Sequence, residues 1–105
     1  MYEELDIAAF QEQFANNPTA DYALIDVREV EEFEQGHIPG AINIPLNTVP
    51  NRIGEITTEK PVVLVCARGN RSAMAAEYLM GNGYRDVYVM VDGTLGWMMR
   101  GLPTE

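Results

Sequence analysis

From Val62 to Val65 the chain is apolar without interruption, with three of four residues β-branched and Pro61 directly before them. A run with no polar alternation predicts a strand covered on both faces, as in a parallel sheet. Tyr22–Val27 and Asp86–Val91 predict two further buried strands, and Ala41–Ile44, between the Pro39-Gly40 corner and Pro45, a short fourth. Between these runs the apolar period changes. Ile7, Phe10 and Phe14 recur at helical spacing behind a capping Asp6, and Asn16-Asn17-Pro18 ends that helix. Glu29–Gln35 predicts a short acidic helix with Val30 and Phe33 inward, closed by Gly36. Leu46, Val49, Ile53 and Ile56 also fall at helical intervals, with Pro50 placed to divide them. Ser72–Met80 predicts a longer helix that lays Ala73, Ala76 and Met80 on the sheet, keeps its methionine-rich face in the core and stops at Gly81-Asn82-Gly83. A last short helix carries Trp97.

Strands alternating with helices predict an α/β fold around a mainly parallel sheet. The length, 105 residues, and the 47% hydrophobic content suit one domain with its own core, and no linker, repeat or low-complexity segment divides it. A single cysteine excludes an internal disulfide. With no secretory apolar segment at the N-terminus, it leads us to expect a cytoplasmic protein. The net charge of −9, with one lysine, argues against nucleic acid and anionic membrane as partners. No run is long enough to span a bilayer, and one cysteine with one histidine cannot form a recognisable metal site.

Candidate chemistry lies where the central strand ends. Cys66-Ala67-Arg68-Gly69-Asn70-Arg71-Ser72 joins that strand to the Ala-rich helix, so loop amides and a helix N-terminus converge on the cysteine sulfur. A free thiol with a pKa near 8.5 is only about 3% thiolate at pH 7, and about 2 kcal/mol of differential stabilisation would bring it to about 7. Arg68 and Arg71 are two of seven basic residues, and Arg71 stands at the wrong end of a helix for a cation. Local rules broken together, at the carboxyl end of a parallel strand, mark a ligand site and a nucleophilic Cys66. Gly69 and Asn70 fit a tight backbone with positive φ, while Ser72 either caps the helix or bonds the sulfur. Asp26 and Arg28 end a strand on the same expected edge, Asp26 to tie loops and Arg28 to pair with Glu29 or Glu32. His37, in a turn before a strand, reads as structural rather than as a base. Met98 and Met99 are candidates for facing a partner.

The loop resembles the active-site loop of the rhodanese (sulfurtransferase) family. Leu24–Glu29 with Gly36-His37-Ile38-Pro39-Gly40-Ala41-Ile42-Asn43-Ile44-Pro45, and Asp92-Gly93-Thr94-Leu95-Gly96-Trp97 with Gly101-Leu102-Pro103, are similar to two further blocks of that family, in its order. The likeness runs from about Leu5 to Pro103. It implies a single rhodanese-like domain, with a mainly parallel five-stranded sheet and helices on both faces. It further implies a sulfurtransferase that moves sulfane sulfur from thiosulfate or a related anionic donor to cyanide or a thiol through a Cys66 persulfide. The thiol acceptor could be a thioredoxin-like protein. The amides from Ala67 to Ser72 would hold the persulfide, Arg68 and Arg71 would attract the donor, Asp26, Arg28, Gly93 and Thr94 would support the site, and no cofactor would be needed. A carrier passing sulfur between proteins is the alternative. A cysteine phosphatase or arsenate reductase fits less well, because a Cys-x5-Arg loop would put arginine where Ser72 stands.

Overall fold

In the computed structural model, which describes residues 1–105, strands and helices follow in an order that accounts for nearly the whole chain. They are β1 (Glu3–Leu5), α1 (Ile7–Phe10, continued by a π-helical turn at Gln11–Ala15), β2 (Ala23–Asp26), α2 (Val30–Glu34) and β3 (Ile42–Asn43). Next come α3 (Val49–Arg52, between short 3-10 turns at Leu46–Thr48 and Ile53–Glu55), β4 (Val62–Val65), α4 (Asn70–Gly81), β5 (Val87–Met90) and α5 (Gly93–Met99). The five strands form one parallel sheet in the order β1-β5-β4-β2-β3.

That order positions the site. From β2 the chain moves outward to β3, returns to β4, and then continues the other way to β5. The connections leaving β2 and β4 therefore diverge, and the carboxyl ends of those two strands flank the crevice where open α/β sheets bind ligands. Asp26 and Val65 lie side by side there.

All four residues of β4 are buried, as the uninterrupted apolar run requires. Their side chains alternate between two cores. Leu64 and, two positions further on, Cys66 pack with Ile25, Val27 and α4 residues Ala75, Ala76 and Leu79. Val63 and Val65 pack on the opposite face with Leu24, Met90, Ile7, Phe10 and Trp97. Helices thus cover both faces. Phe10 is wholly buried, and its ring lies 6.0 Å from Trp97 and 6.2 Å from Tyr22, both edge-on.

Several local expectations change. The edge strand β1 was not predicted by its own residues, because Glu3-Glu4-Leu5 has no strand pattern; it is fixed by pairing with β5. α4 begins at Asn70 rather than Ser72. Its sheet-facing side is Ser72, Ala75, Ala76 and Leu79, so Ala76 packs inward as expected, while Ala73 and Met80 lie at its margin and Met74 is exposed. α2 buries none of its residues: Val30 is exposed, and Phe33 stacks at 3.7 Å on the His37 ring. Pro50 sits in the first turn of α3, where a missing N–H costs nothing, instead of breaking a helix.

Candidate active site

Cys66 is 1% exposed and follows the central strand into a loop that folds back over its own sulfur. The reversal depends on Gly69, whose φ of +100° is open to glycine and strained for any L side chain. Asn70, expected to share that conformation, is helical; no non-glycine residue has positive φ. The turn aims the Gly69 amide at Sγ, at 3.0 Å, and the Ser72 amide from the first turn of α4, at 3.4 Å. The Arg68 amide adds a smaller contribution in the same direction, favouring negative charge on the sulfur. Gly69, not Ser72, occupies the helix cap position.

The Ser72 hydroxyl lies 3.4 Å from Sγ and 3.0 Å from the Gly69 carbonyl oxygen. It has one proton for two acceptors. With Cys66 as a thiol, S–H donates to Oγ while the hydroxyl donates to Gly69; with Cys66 as a thiolate, the hydroxyl turns to the sulfur. Burial pushes the Cys66 thiol up, but the Ser72 hydroxyl and the Ser72, Gly69 and Arg68 amides together outweigh it and hold the thiol below its ordinary range. The N-terminus of α4 favours the same charge.

A pH profile follows. The rate of Cys66 alkylation by iodoacetamide should fall as pH is lowered through a midpoint below that of a free thiol. A bond to an ionised group is worth about 1.5–3 kcal/mol, so Ser72→Ala should move the midpoint upward and slow alkylation on its acid side by about tenfold or more. Alkylation rates across a pH series measure both.

The two loop arginines are in different situations. Arg71 is engaged by Glu32 of α2 through two parallel bonds, Nη1 to Oε1 at 2.6 Å and Nη2 to Oε2 at 3.1 Å. Glu32 Oε1 also accepts the Glu29 amide at 2.9 Å, completing a capping box on α2. Hydrogen bonding to Arg71 is the main reason the Glu32 carboxyl is held down to about 2. Arg68 is exposed, forms no ion pair, and borders a separate hollow shared with Asp92, Leu95, Gly96, Met98 and Met99.

Arg28 does not pair with Glu29 or Glu32. Its guanidinium is buried against Asp26, with Nη2 at 2.9 Å and Nε at 3.1 Å from Oδ2, and Nη2 also donates to the Gly36 carbonyl at 2.8 Å. The shorter reach wins because both side chains are inside, where an unpaired charge costs most. Asp26 and Arg28 thereby tie the end of β2 to the corner after α2. His37 belongs to that corner too: Nδ1 lies 3.0 Å from the Phe33 carbonyl.

Gly93 and Thr94 hold the loop from the other side. The Thr94 amide donates to the Cys66 carbonyl at 2.8 Å and the Leu95 amide to the Ala67 carbonyl at 3.2 Å, so the start of α5 clamps the first two loop residues. The Thr94 hydroxyl is buried without a partner. Between clamp and α2 lies a hollow of about 200 Å³ lined by Arg28, Glu32, Gln35, Ala67, Leu95 and Met98. Leu95 and Glu32 join the site here without any local signal, since neither their spacing nor their neighbours point to the loop. A larger hollow, about 570 Å³ between Met1, Tyr2, Glu4, Glu77 and Met80, includes no loop residue.

Residues 8–100 match the rhodanese-like domain family. A sulfurtransferase of Allochromatium vinosum is 37% identical over 103 residues, covering 98% of this chain and 94% of that protein. The thiosulfate sulfurtransferase GlpE of Pseudomonas syringae is 44% identical over 70 residues, covering 67% of this chain and 65% of its own. Among solved structures, a rhodanese-related protein from Thermoplasma volcanium superposes with a TM-score of 0.86 at 30% identity, covering 99% of this chain and 98% of its own.

Proposed function

The chain belongs to the rhodanese-like family, and on that footing we propose that it transfers sulfane sulfur through a persulfide on Cys66. One observation supports the reading above others: a buried sulfur faces the Gly69 and Ser72 amides and the Ser72 hydroxyl, donors that favour negative charge on it. The Cys66 thiolate attacks the outer sulfur of thiosulfate or a related donor. The donor's S–S bond breaks, sulfite leaves with the electron pair of that bond, and the outer sulfur remains on Sγ. A thiol or cyanide then attacks that outer sulfur and regenerates the thiolate. The extra sulfur carries the negative charge outward, toward the loop amides not used by Sγ.

No residue other than Cys66 changes its covalent bonding, and no cofactor enters the scheme. A thioredoxin-like protein is a chemically suitable acceptor, and a reducing compartment such as the cytoplasm would keep Cys66 free. The phosphatase alternative is disfavoured by Arg71, because the guanidinium that would bind a phosphate ester is already occupied by Glu32.

Intact mass of the reduced protein after brief exposure to thiosulfate or cysteine persulfide tests the reading. The expected result is a gain of one sulfur atom, removed by cyanide or dithiothreitol and absent from Cys66→Ser. No gain from either donor, together with hydrolysis of para-nitrophenyl phosphate that Cys66→Ser abolishes, would overturn it in favour of ester chemistry.

A further inference from the structure

Every charge lining the hollow beside the loop is already matched. The lining charges are Arg28, paired with buried Asp26, and Glu32, paired with Arg71 of the loop; the remaining lining is Gln35, Ala67, Leu95 and Met98. Arg71 is near enough to Cys66 for the sulfur's charge to add to that of Glu32 in holding the guanidinium protonated. Its Nη1 and Nη2 each donate to that one carboxylate, which offsets the charge Arg71 would otherwise offer to a donor's anionic end. A mouth with no net charge and an apolar wall gives little electrostatic help to a small dianion.

Resting on the sulfur-transfer reading, we infer that Glu32 is a specificity-determining residue: by holding Arg71 it disfavours the thiosulfate dianion, and the site accepts a sulfane sulfur carried on a less highly charged organic persulfide. For such a donor the balance is simple. Cys66 thiolate attacks the outer sulfur of R–S–SH, the donor's S–S bond breaks, R–S⁻ leaves with the electron pair of that bond, and the outer sulfur remains on Sγ as the Cys66 persulfide with no net oxidation. The R group lies along Leu95 and Met98. Because the Glu32 carboxyl is held down to about 2, it stays ionised at every pH at which the thiolate is available.

Glu32→Gln is the direct test. Glutamine is nearly isosteric and can still accept the Glu29 amide, so α2 keeps its cap. Loading of Cys66 is measured with thiosulfate and with cysteine persulfide as separate donors. Glu32→Gln should lower KM for thiosulfate roughly five- to tenfold with kcat changed by less than about twofold. The gain should shrink at high salt, and Glu32→Asp should return KM toward wild type. The ratio of kcat/KM for cysteine persulfide to that for thiosulfate should fall accordingly. A Glu32→Gln, Arg71→Met double variant should lose the gain, which identifies Arg71 as its source even if the single variant is less stable. Unchanged or raised KM for thiosulfate in Glu32→Gln, or equal changes with both donors, would overturn the inference and leave sulfur transfer standing. If wild type is loaded by neither donor, the sulfur-transfer reading fails first.

Discussion

Gly93→Ala is expected to destabilise the protein by about 3–5 kcal/mol and to loosen the sulfur site at the same time. A Cβ at Gly93 would stand 2.0 Å from the Ala67 carbonyl oxygen, 2.5 Å from its carbon and 2.8 Å from the Arg68 amide nitrogen. All three are backbone atoms, so no rotamer change relieves the overlap. The φ of +70° adds a further penalty of roughly 1 kcal/mol for an L side chain. To make room, α5 must withdraw from the loop, and the bonds from the Thr94 and Leu95 amides to the Cys66 and Ala67 carbonyls are lost. Urea unfolding should show a lower midpoint with an unchanged slope. Cys66 alkylation should shift to higher pH, since the loop amides no longer hold their positions. Gly54→Ala provides the control: its backbone is ordinary and nothing lies within 4 Å of the new carbon, so its stability should be nearly that of wild type.

Arg28→Ala should cost a comparable 3–5 kcal/mol, for an electrostatic reason. Asp26 is wholly buried, and the substitution removes the guanidinium that supplies Nε and Nη2 to its carboxylate. The carboxylate would keep only the residue-28 backbone amide, at 3.0 Å, and the Gly36 carbonyl would lose its donor. An ionised carboxylate that cannot reach water is the costly remainder. A paired replacement, Asp26→Leu with Arg28→Met, removes both charges and should recover a substantial part of the loss. Urea midpoints of the single and double variants separate this account from simple loss of side-chain packing, which would make the double variant worse.

What the sequence makes legible is what neighbouring residues decide. The run Val62–Val65, the glycine three residues after Cys66 and the alanines beyond it are each sufficient for strand, turn and helix, and their succession locates the sulfur at the start of a helix. Features made by distant residues were not legible. Glu32 and Arg71 stand 39 positions apart, and nothing around either shows that α2 lies over the loop. Gly93 reads as a turn glycine, whereas its missing side chain makes room for Ala67. Of the expected inward residues of α4, Ala76 is buried while Ala73 and Met80 lie at the margin, because Ser72 is turned inward against Cys66, a contact the apolar pattern does not show. Arg28 shows the same limit at short range: its partner is two residues away, but the choice of Asp26 over Glu29 or Glu32 depends on burial.

The pairing of β1 with β5 also bears on how the molecule is made. Glu3 lies opposite Tyr88 and Leu5 opposite Met90, and the Ile7 amide is bonded by the Asp92 carboxylate at 2.9 Å. β1 has no partner until β5 is available, and Glu3 and Tyr88 are 85 positions apart in the chain (88 minus 3). Its loop must close across most of the chain before any pairing offsets the lost entropy, which favours slow folding. Until then the β4 side of β5 can be covered while its outer edge stays open, and the Cys66 thiol waits in a loop that α5 has not yet clamped. The folding chain is therefore most exposed to wrong strand pairing and to oxidation while β5 and α5 are still undocked.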